Sequence, residues 1–301
     1  MKILLLGKDG QLGWELQRAL APLGEVIACG REQVDMENSD ALRNFVRDVS
    51  PQIIVNAAAY TAVDKAESEP DRAQRVNTDA VAVLAEESKR LNAWLIHYST
   101  DYVFDGTKAG FYTETDVPNP LSVYGRTKLQ GEQVVKQSGC NYLIFRTSWV
   151  FAAKGANFAK TILKLAKERD ALSVVSDQIG APTSADLIAD TTALCLFRLQ
   201  HDVVFARQAS GLYHLVAAGE TSWHGYAQHI IAVAAKQNIE IRMTPDNVLP
   251  ITTKEYPLPA RRPANSRLST QKLCSTFGLI LPAWQGQLDR VITEIMQIAK
   301  R

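Results

Sequence analysis

Ile3-Leu4-Leu5-Leu6-Gly7-Lys8-Asp9-Gly10-Gln11-Leu12-Gly13 is the stretch that decides the fold. Four apolar residues in a row read as a buried strand. Glycines follow at 7, 10 and 13, and Leu12, Leu16, Ala19 and Leu20 then recur at helical spacing. Strand, glycine-rich turn and helix together open a dinucleotide-binding unit. The glycines permit a tight turn and close backbone approach, and the helix start offers free N–H groups and a positive dipole to a diphosphate. A glycine run is weak by itself. It gains weight from its place between a strand and a helix.

Outward from this stretch, strands and helices alternate. Glu25 to Cys29 reads as a second strand, and Ser39 or Asp40 caps a helix from Ala41 to Val49. Ile53-Ile54-Val55 is a third strand, and Pro70 starts a helix running to about Arg90. Trp94 to Tyr98 is a fourth strand, followed by a loop over 104–120, a helix from Tyr124 to about Lys136 and a fifth strand from Tyr142 to Val150. This order specifies an α/β protein with a doubly wound parallel sheet of the Rossmann type. Beyond it the pattern loosens. Helices are expected over 157–168, 184–199 and 222–236, with a short strand at 172–175. Gly211 to Val216 can rejoin the sheet, Met243 to Pro263 is irregular, and two helices finish the chain. The expected division is a dinucleotide domain of residues 1–151 plus about 184–216. A smaller α/β substrate lobe of about 152–183 and 217–301 would lie over the sheet's carboxyl edge.

With 301 residues the chain can bury a large core. Its 46% hydrophobic and 22% charged residues fit a soluble globular protein, and its net charge of +1 gives no bulk attraction to nucleic acid or a membrane. The apolar opening ends after four residues, too few for a signal core or a span, so a cytoplasmic protein is expected. Cys29, Cys140, Cys195 and Cys274 are scattered and show no metal or disulfide spacing. His97 sits in an apolar run and reads as a packed core imidazole.

Chemistry concentrates at the carboxyl ends of the strands, where open α/β sheets bind ligands. A dinucleotide fold often ends its second strand on an acid that holds the ribose hydroxyls. Here Gly30-Arg31 stands there, and arginine can meet a 2′-phosphate. NADPH is therefore expected, with NADH also accepted, although Arg31 can equally be a solvated loop residue. Asn56-Ala57-Ala58-Ala59-Tyr60 supplies small residues against which a flat cofactor can lie. Ser99 and Thr100 put hydroxyls at a strand end. Tyr124 and Lys128, four apart, share one helix face, and a nearby ammonium favours phenolate.

Together, Gly7-x-x-Gly10-x-x-Gly13, Asn56-Ala57-Ala58-Ala59, Val76-Asn77, Ser99-Thr100-Asp101-Tyr102-Val103-Phe104 and Pro120-x-x-x-Tyr124-Gly125-x-x-Lys128-x-x-x-Glu132 resemble the extended short-chain dehydrogenase/reductase family over nearly the whole chain. Arg146-Thr147-Ser148-Trp149-Val150-Phe151, Asp177-Gln178-x-Gly180-Ala181-Pro182-Thr183 and Arg262-Pro263 are most similar to members that reduce the C4 ketone of a dTDP-linked 6-deoxyhexulose. The resemblance implies Tyr124 as proton donor, Lys128 lowering its pKa and holding the nicotinamide ribose, and Thr100 bonding the same substrate oxygen. It also implies a cofactor site of Gly7, Gly10, Gln11, Leu12 and Gly13 at the pyrophosphate, with Arg31, Asp35 and Met36 by the adenosine and Ala57, Ala58, Ala59 and Tyr60 along its middle. Tyr102, Val103 and Phe104 would border the sugar, with Trp149, if it is not plain core, and Arg262, if it is not solvated, at the sugar and diphosphate. Some relatives are homodimers with magnesium at the interface. The matching acids are Glu15, Asp186 and Glu294, although an aspartate at 186 is shorter than the expected glutamate. Two alternatives stay open: another nucleotide-sugar epimerase or reductase, and a non-catalytic regulatory subunit on this fold. A 4,6-dehydratase would carry a glutamate after the strand-end Asp, where this chain has Asp101-Tyr102.

Overall fold

The computed structural model describes residues 1–299. Its first half alternates β1 (Lys2–Leu6), α1 (Gln11–Leu20), β2 (Glu25–Cys29), α2 (Ser39–Val49), β3 (Ile53–Asn56), the short α3 (Val63–Ala66), α4 (Pro70–Gln74), α5 (Ala80–Leu91), β4 (Trp94–Thr100), α6 (Val123–Ser138) and β5 (Asn141–Thr147). Then come β6 (Val150–Phe151), α7 (Phe158–Glu168), β7 (Leu172–Val175), β8 (Ile179–Gly180), β9 (Thr183–Ser184), α8 (Ala185–His201), α9 (Val203–Ala209) and β10 (Gly211–His214). The chain continues through β11 (Thr221–Ser222), α10 (Trp223–Lys236), β12 (Val248–Ile251), α11 (Gln271–Phe277) and α12 (Trp284–Ala299).

Six strands form one parallel sheet in the order β10-β5-β4-β3-β1-β2. The chain leaves β1 toward β2 on one side and returns to β3 on the other. That reversal opens a crevice at the carboxyl ends of β1 and β3, the place where such sheets hold ligands.

Side-chain alternation along the strands supplies two cores. Ile3, Leu5, Val55, Ile96 and Phe145 face one way, against Leu16 and Leu20 of α1 and Ile188 and Leu196 of α8. Leu4, Leu6, Ile54, Leu95 and Ile144 face the other, against Leu42 and Val46 of α2 and Val83 and Leu84 of α5. The first core runs on through Ile162, Tyr226 and Leu288, so the later helices are continuous with it. There β12 pairs in parallel with β7, and α10 packs on both α7 and α12.

Several expected boundaries move for local reasons. The cap of α2 is Asn38, whose side chain accepts from Ala41 N–H, rather than Ser39 or Asp40. The helix expected from Pro70 is interrupted at Arg75–Asp79 by a π turn, which leaves Asn77 buried. Within the stretch read as irregular, Val248–Ile251 forms β12, with Pro250 in an edge strand where a missing N–H is tolerated. Ser122 and Ser184 cap α6 and α8 by accepting from the N–H groups of Gly125 and Leu187.

One close approach fixes the glycine turn. A Cβ at Gly13 would overlap the Gly7 carbonyl oxygen, so only glycine lets α1 start this near β1.

A buried ion pair ties α6 to the sheet. Arg146 Nε and Nη2 donate to Glu132 Oε1 at 2.8 Å and Oε2 at 2.7 Å, and Ser99 Oγ donates to Oε1 at 2.6 Å. Both charged side chains are almost fully buried. Removing one partner of such a pair leaves an uncompensated charge, so Glu132→Gln should lower the unfolding free energy by ~3–5 kcal/mol. Urea unfolding measures it. A loss under about 1 kcal/mol, the range of surface pairs, would show that Arg146 finds other partners.

Candidate active site

Tyr124 and Lys128 lie one turn apart on α6, and Thr100 ends β4, the strand α6 follows. A Cβ at Gly125 would overlap the Tyr102 carbonyl oxygen, so a side chain there would push the helix start off the sheet edge. The Tyr124 ring is half-buried and meets Tyr102 edge-on, with centroids 5.6 Å apart.

Lys128 is buried. Its Nζ donates to Tyr98 O at 2.6 Å and lies 3.4 Å from His97 Nε2. Burial lowers its pKa to about 8, against the pull of Glu132 one turn on. His97 is buried too, and burial plus the Lys128 charge hold it neutral. Its Nδ1 lies 3.2 Å from Asn56 Nδ2, while Asn56 Oδ1 accepts from Ala58 N–H at 3.2 Å. With the amide so held, Asn56 donates to Nδ1, which leaves the ring proton on Nε2, facing Lys128. That tautomer also disfavours an ammonium on Lys128. His97 is thus buried as its apolar surroundings suggested, and it also adjoins the lysine.

The net shift of the phenol is upward. Burial pushes Tyr124 up to about 12, a hydrogen bond with Thr100 pulls it down, and the Asp101 carboxylate raises it further. The downward pull expected of Lys128 from the four-residue spacing is not among these causes. Lys128 shares the face of Tyr124, but its ammonium is turned to a backbone carbonyl at the sheet.

Opposite stands the glycine turn. Gly10 precedes α1 in an extended conformation, with no side chain to cap the first N–H groups. One cleft of about 690 Å³ joins Gly7, Gly10, Gln11 and Leu12 to Arg31, Asp35 and Met36, to Ala57, Ala58, Ala59 and Tyr60, and to Thr100, Tyr102, Tyr124, Lys128 and Trp149. Asn77, aimed by the π turn, clasps the middle of the wall. Its Oδ1 accepts from Tyr60 N–H at 2.9 Å and its Nδ2 donates to Tyr60 O at 3.1 Å.

Other expected residues lie elsewhere. Gly13 packs helix on strand and does not line the cleft. Val103 and Phe104 are buried in a small core where Phe104 stacks on Tyr112 at 4.0 Å, so the tight turn after Thr100 sends them away from the cleft. Arg262 also stays off the wall. It holds Asp64 in a two-pronged pair at 2.7 and 3.1 Å, and the Asp64 carboxyl is held below its ordinary range chiefly by that hydrogen bond. Trp149 reaches the cleft and stacks on Trp223 at 3.7 Å.

The magnesium expectation finds no donor set. Glu15 is close enough to feel the charges of Asp186 and Glu294, but burial contributes most to raising its pKa. Asp186 pairs with Arg290 at 3.1 Å and Glu15 with Arg18 at 3.5 Å. Among the described residues no group of three His, Cys, Asp or Glu side chains could hold a metal ion. None of the described helices is long and apolar enough to cross a membrane.

Sequence reading passed over Asp101, Glu37 and Arg72, which also line the cleft. For Arg72 a signal was available, since Arg75 follows it at helical spacing. Asp101 and Glu37 gave none.

A glycine turn at a strand-order reversal, facing a Tyr/Lys helix across one crevice, is the arrangement of the extended short-chain dehydrogenase/reductases. The comparisons narrow this class. The family model described as RmlD substrate binding domain matches residues 1–297. The dTDP-4-dehydrorhamnose reductase of Escherichia coli (strain K12) is 50% identical over 303 residues, covering 98% of each chain. A crystal structure of a dTDP-4-dehydrorhamnose reductase from Clostridium acetobutylicum aligns with TM-score 0.88 at 37% identity, covering 98% of this chain and all of that one. The enzyme from Bacillus anthracis, solved in complex with NADP, aligns with TM-score 0.85 at 35% identity, over 97% and 99% of the two chains. The chain belongs to the dTDP-4-dehydrorhamnose reductase family.

Asp101 makes a test of the site's electrostatics. Burial raises its carboxyl to about 6, although hydrogen bonds including that of Thr100 at 3.1 Å work the other way. A carboxyl raised in the folded state binds more protons there than in the unfolded chain, so its contribution to stability falls as pH rises from about 4 to 6. Asp101→Asn should therefore gain on the native chain by roughly 1–3 kcal/mol between pH 4 and pH 7. Urea unfolding of both proteins at each pH gives the difference. A pH-independent difference would show Asp101 ionised at its ordinary pKa.

Proposed function

We propose that the chain reduces the C4 ketone of dTDP-4-dehydrorhamnose to give dTDP-L-rhamnose, with NADPH or NADH as reductant. The observation that carries this is the meeting of Tyr124, Thr100 and Lys128 with the glycine turn in one cleft, in a chain half identical to a reductase of that name.

When bound, the reduced nicotinamide supplies the hydride. The chain supplies the rest. As carbon 4 gains the hydride, its oxygen becomes an alkoxide, and the Tyr124 hydroxyl gives it a proton. A phenol held near 12 is fully protonated at neutral pH and matches an alkoxide in basicity better than a more acidic group would. Thr100 supplies a second hydroxyl beside the phenol and orients it. Lys128, tethered to Tyr98 O, faces the ribose on the nicotinamide side. The N–H groups at the start of α1, around Gly10, Gln11 and Leu12, take the pyrophosphate. Ala57, Ala58, Ala59 and Tyr60 form the floor beneath it, and Arg31, Asp35 and Met36 surround the adenosine. The dTDP-sugar enters beside Tyr102 and Trp149, under the lobe of residues 152–183 and 217–299. Arg262 reaches the diphosphate only if it leaves Asp64.

A cytoplasmic homodimer completes the reading. For the dimer, the half-exposed Leu194 and Phe197 on α8 offer an apolar face.

Two measurements test the assignment. Tyr124→Phe should lower kcat by ~10²–10⁴ and leave coenzyme affinity nearly unchanged. Near-native turnover would remove the phenol from the reaction. In the native chain, kcat should fall as pH rises through about 8, where Lys128 loses its charge, since Tyr124 titrates far above. A flat profile to about pH 9.5, more than a unit above that pKa, would show that the lysine charge takes no part.

A further inference from the structure

Three guanidinium groups converge on one carboxylate at the edge of the cleft. Arg31 Nη2 and Arg72 Nε each donate to Glu37 Oε1 at 2.9 Å, and Arg75 Nη2 donates to Oε2 at 3.2 Å. The arginines come from different places. Arg31 follows β2, Arg72 belongs to α4, and Arg75 opens the π turn one helical step on. Glu37 is largely covered, whereas Arg31 and Arg75 stand about half or more exposed. Burial works to raise the Glu37 carboxyl, and the bonds from Arg72 and Arg75 outweigh it and hold it low. Asp35 adds a weaker contact to Arg31 at 3.6 Å.

Glu87, away from the cleft, is likewise held by three arginines, Arg43, Arg47 and Arg90, so convergence alone marks no ligand site, and the Glu37 cluster differs in lining the cleft. Arg72 Nη1 also lies 3.5 Å from Glu69, so three guanidiniums share three carboxylates, Asp35, Glu37 and Glu69, and each arginine reaches Glu37 through a single nitrogen. Guanidiniums left without that carboxylate would suit a phosphate. Arg31, Asp35, Glu37 and Arg72 line the cleft on its β2 side. β2 lies three strand spacings from β4, which carries Thr100. That is about 14 Å, the reach of an extended dinucleotide lying across the strand ends. If the nicotinamide lies by Tyr124, the adenosine ribose comes to the arginine cluster.

We propose that Glu37 is a coenzyme-selecting residue: its carboxylate occupies the arginine cluster that would otherwise receive the 2′-phosphate of NADPH, and so brings the affinities for NADH and NADPH together. A 2′-hydroxyl is a donor that a carboxylate accepts. A 2′-phosphate is an anion that must displace the carboxylate or sit beside it at a repulsive cost. The inference rests on the reading of the cleft as a dinucleotide site, and it adds a group that no acid at the end of β2 supplies.

Equilibrium binding of NADH and NADPH to the full chain tests it without turnover. For Glu37→Gln, NADPH should bind about tenfold more tightly, with NADH unchanged or weaker. The gain should shrink at high salt, because it is a charge effect at a partly exposed site. Arg72→Gln should weaken NADPH selectively, and its retained NADH affinity shows that the variant is folded. An unmoved NADPH/NADH ratio in Glu37→Gln would overturn the inference, as would weaker NADPH binding, which would make Glu37 an organiser of the arginines. If the native chain bound neither coenzyme, the dinucleotide reading itself would fail and this inference with it.

Discussion

The site depends on how closely α6 lies on the carboxyl end of β4. The buried Glu132–Arg146 pair, closed by Ser99, joins that helix to β4 and β5 where water cannot weaken it. Lys128 adds a second tether through Tyr98 O. Both anchors lie C-terminal to Tyr124 on the same helix. They fix the angle at which the Tyr124 phenol enters the cleft, and the Glu132–Arg146 pair does so from outside the cleft lining. This is costly chemistry for a core. Buried ion pairs are seldom more stable than apolar residues of equal volume, and specifying one helix position is the benefit the structure offers in return.

Burial also sets the site's electrostatics. It raises Tyr124 and Asp101 and lowers Lys128 and His97. All four shifts favour neutral groups at the cleft's inner end. A ketone entering there meets a protonated phenol, beside a lysine that burial has brought to a pKa of about 8. On the proposed reading the chain contributes position and a ready proton.

Much of this was legible in the residues. The apolar run 3–6, the glycines at 7, 10 and 13 and the later alternation specify the parallel sheet, because each is a local consequence of backbone geometry. The Tyr124–Lys128 spacing puts both on one helix face, and Thr100 stands at the strand end in the cleft, as its position in the sequence suggested. What escaped depends on direction rather than spacing. Sequence puts Val103 and Phe104 next to Thr100, but a tight turn aims them into the core. Arg262 has the guanidinium a phosphate ligand needs, and its partner Asp64, 198 positions away, is one no local pattern encodes. The acids Glu15, Asp186 and Glu294 do approach one another, but arginines neutralise two of them. The convergence on Glu37 draws on three separate elements, and no local pattern encodes it.

The central claim is that reductant, ketone and phenol meet at the rim of β4. Incubating the protein with dTDP-4-dehydrorhamnose and NADPH carrying deuterium at nicotinamide carbon 4 tests it most directly. The account predicts dTDP-L-rhamnose with one deuterium at sugar carbon 4 and none elsewhere. Deuterium at another sugar carbon, or a changed sugar without transfer, would contradict it.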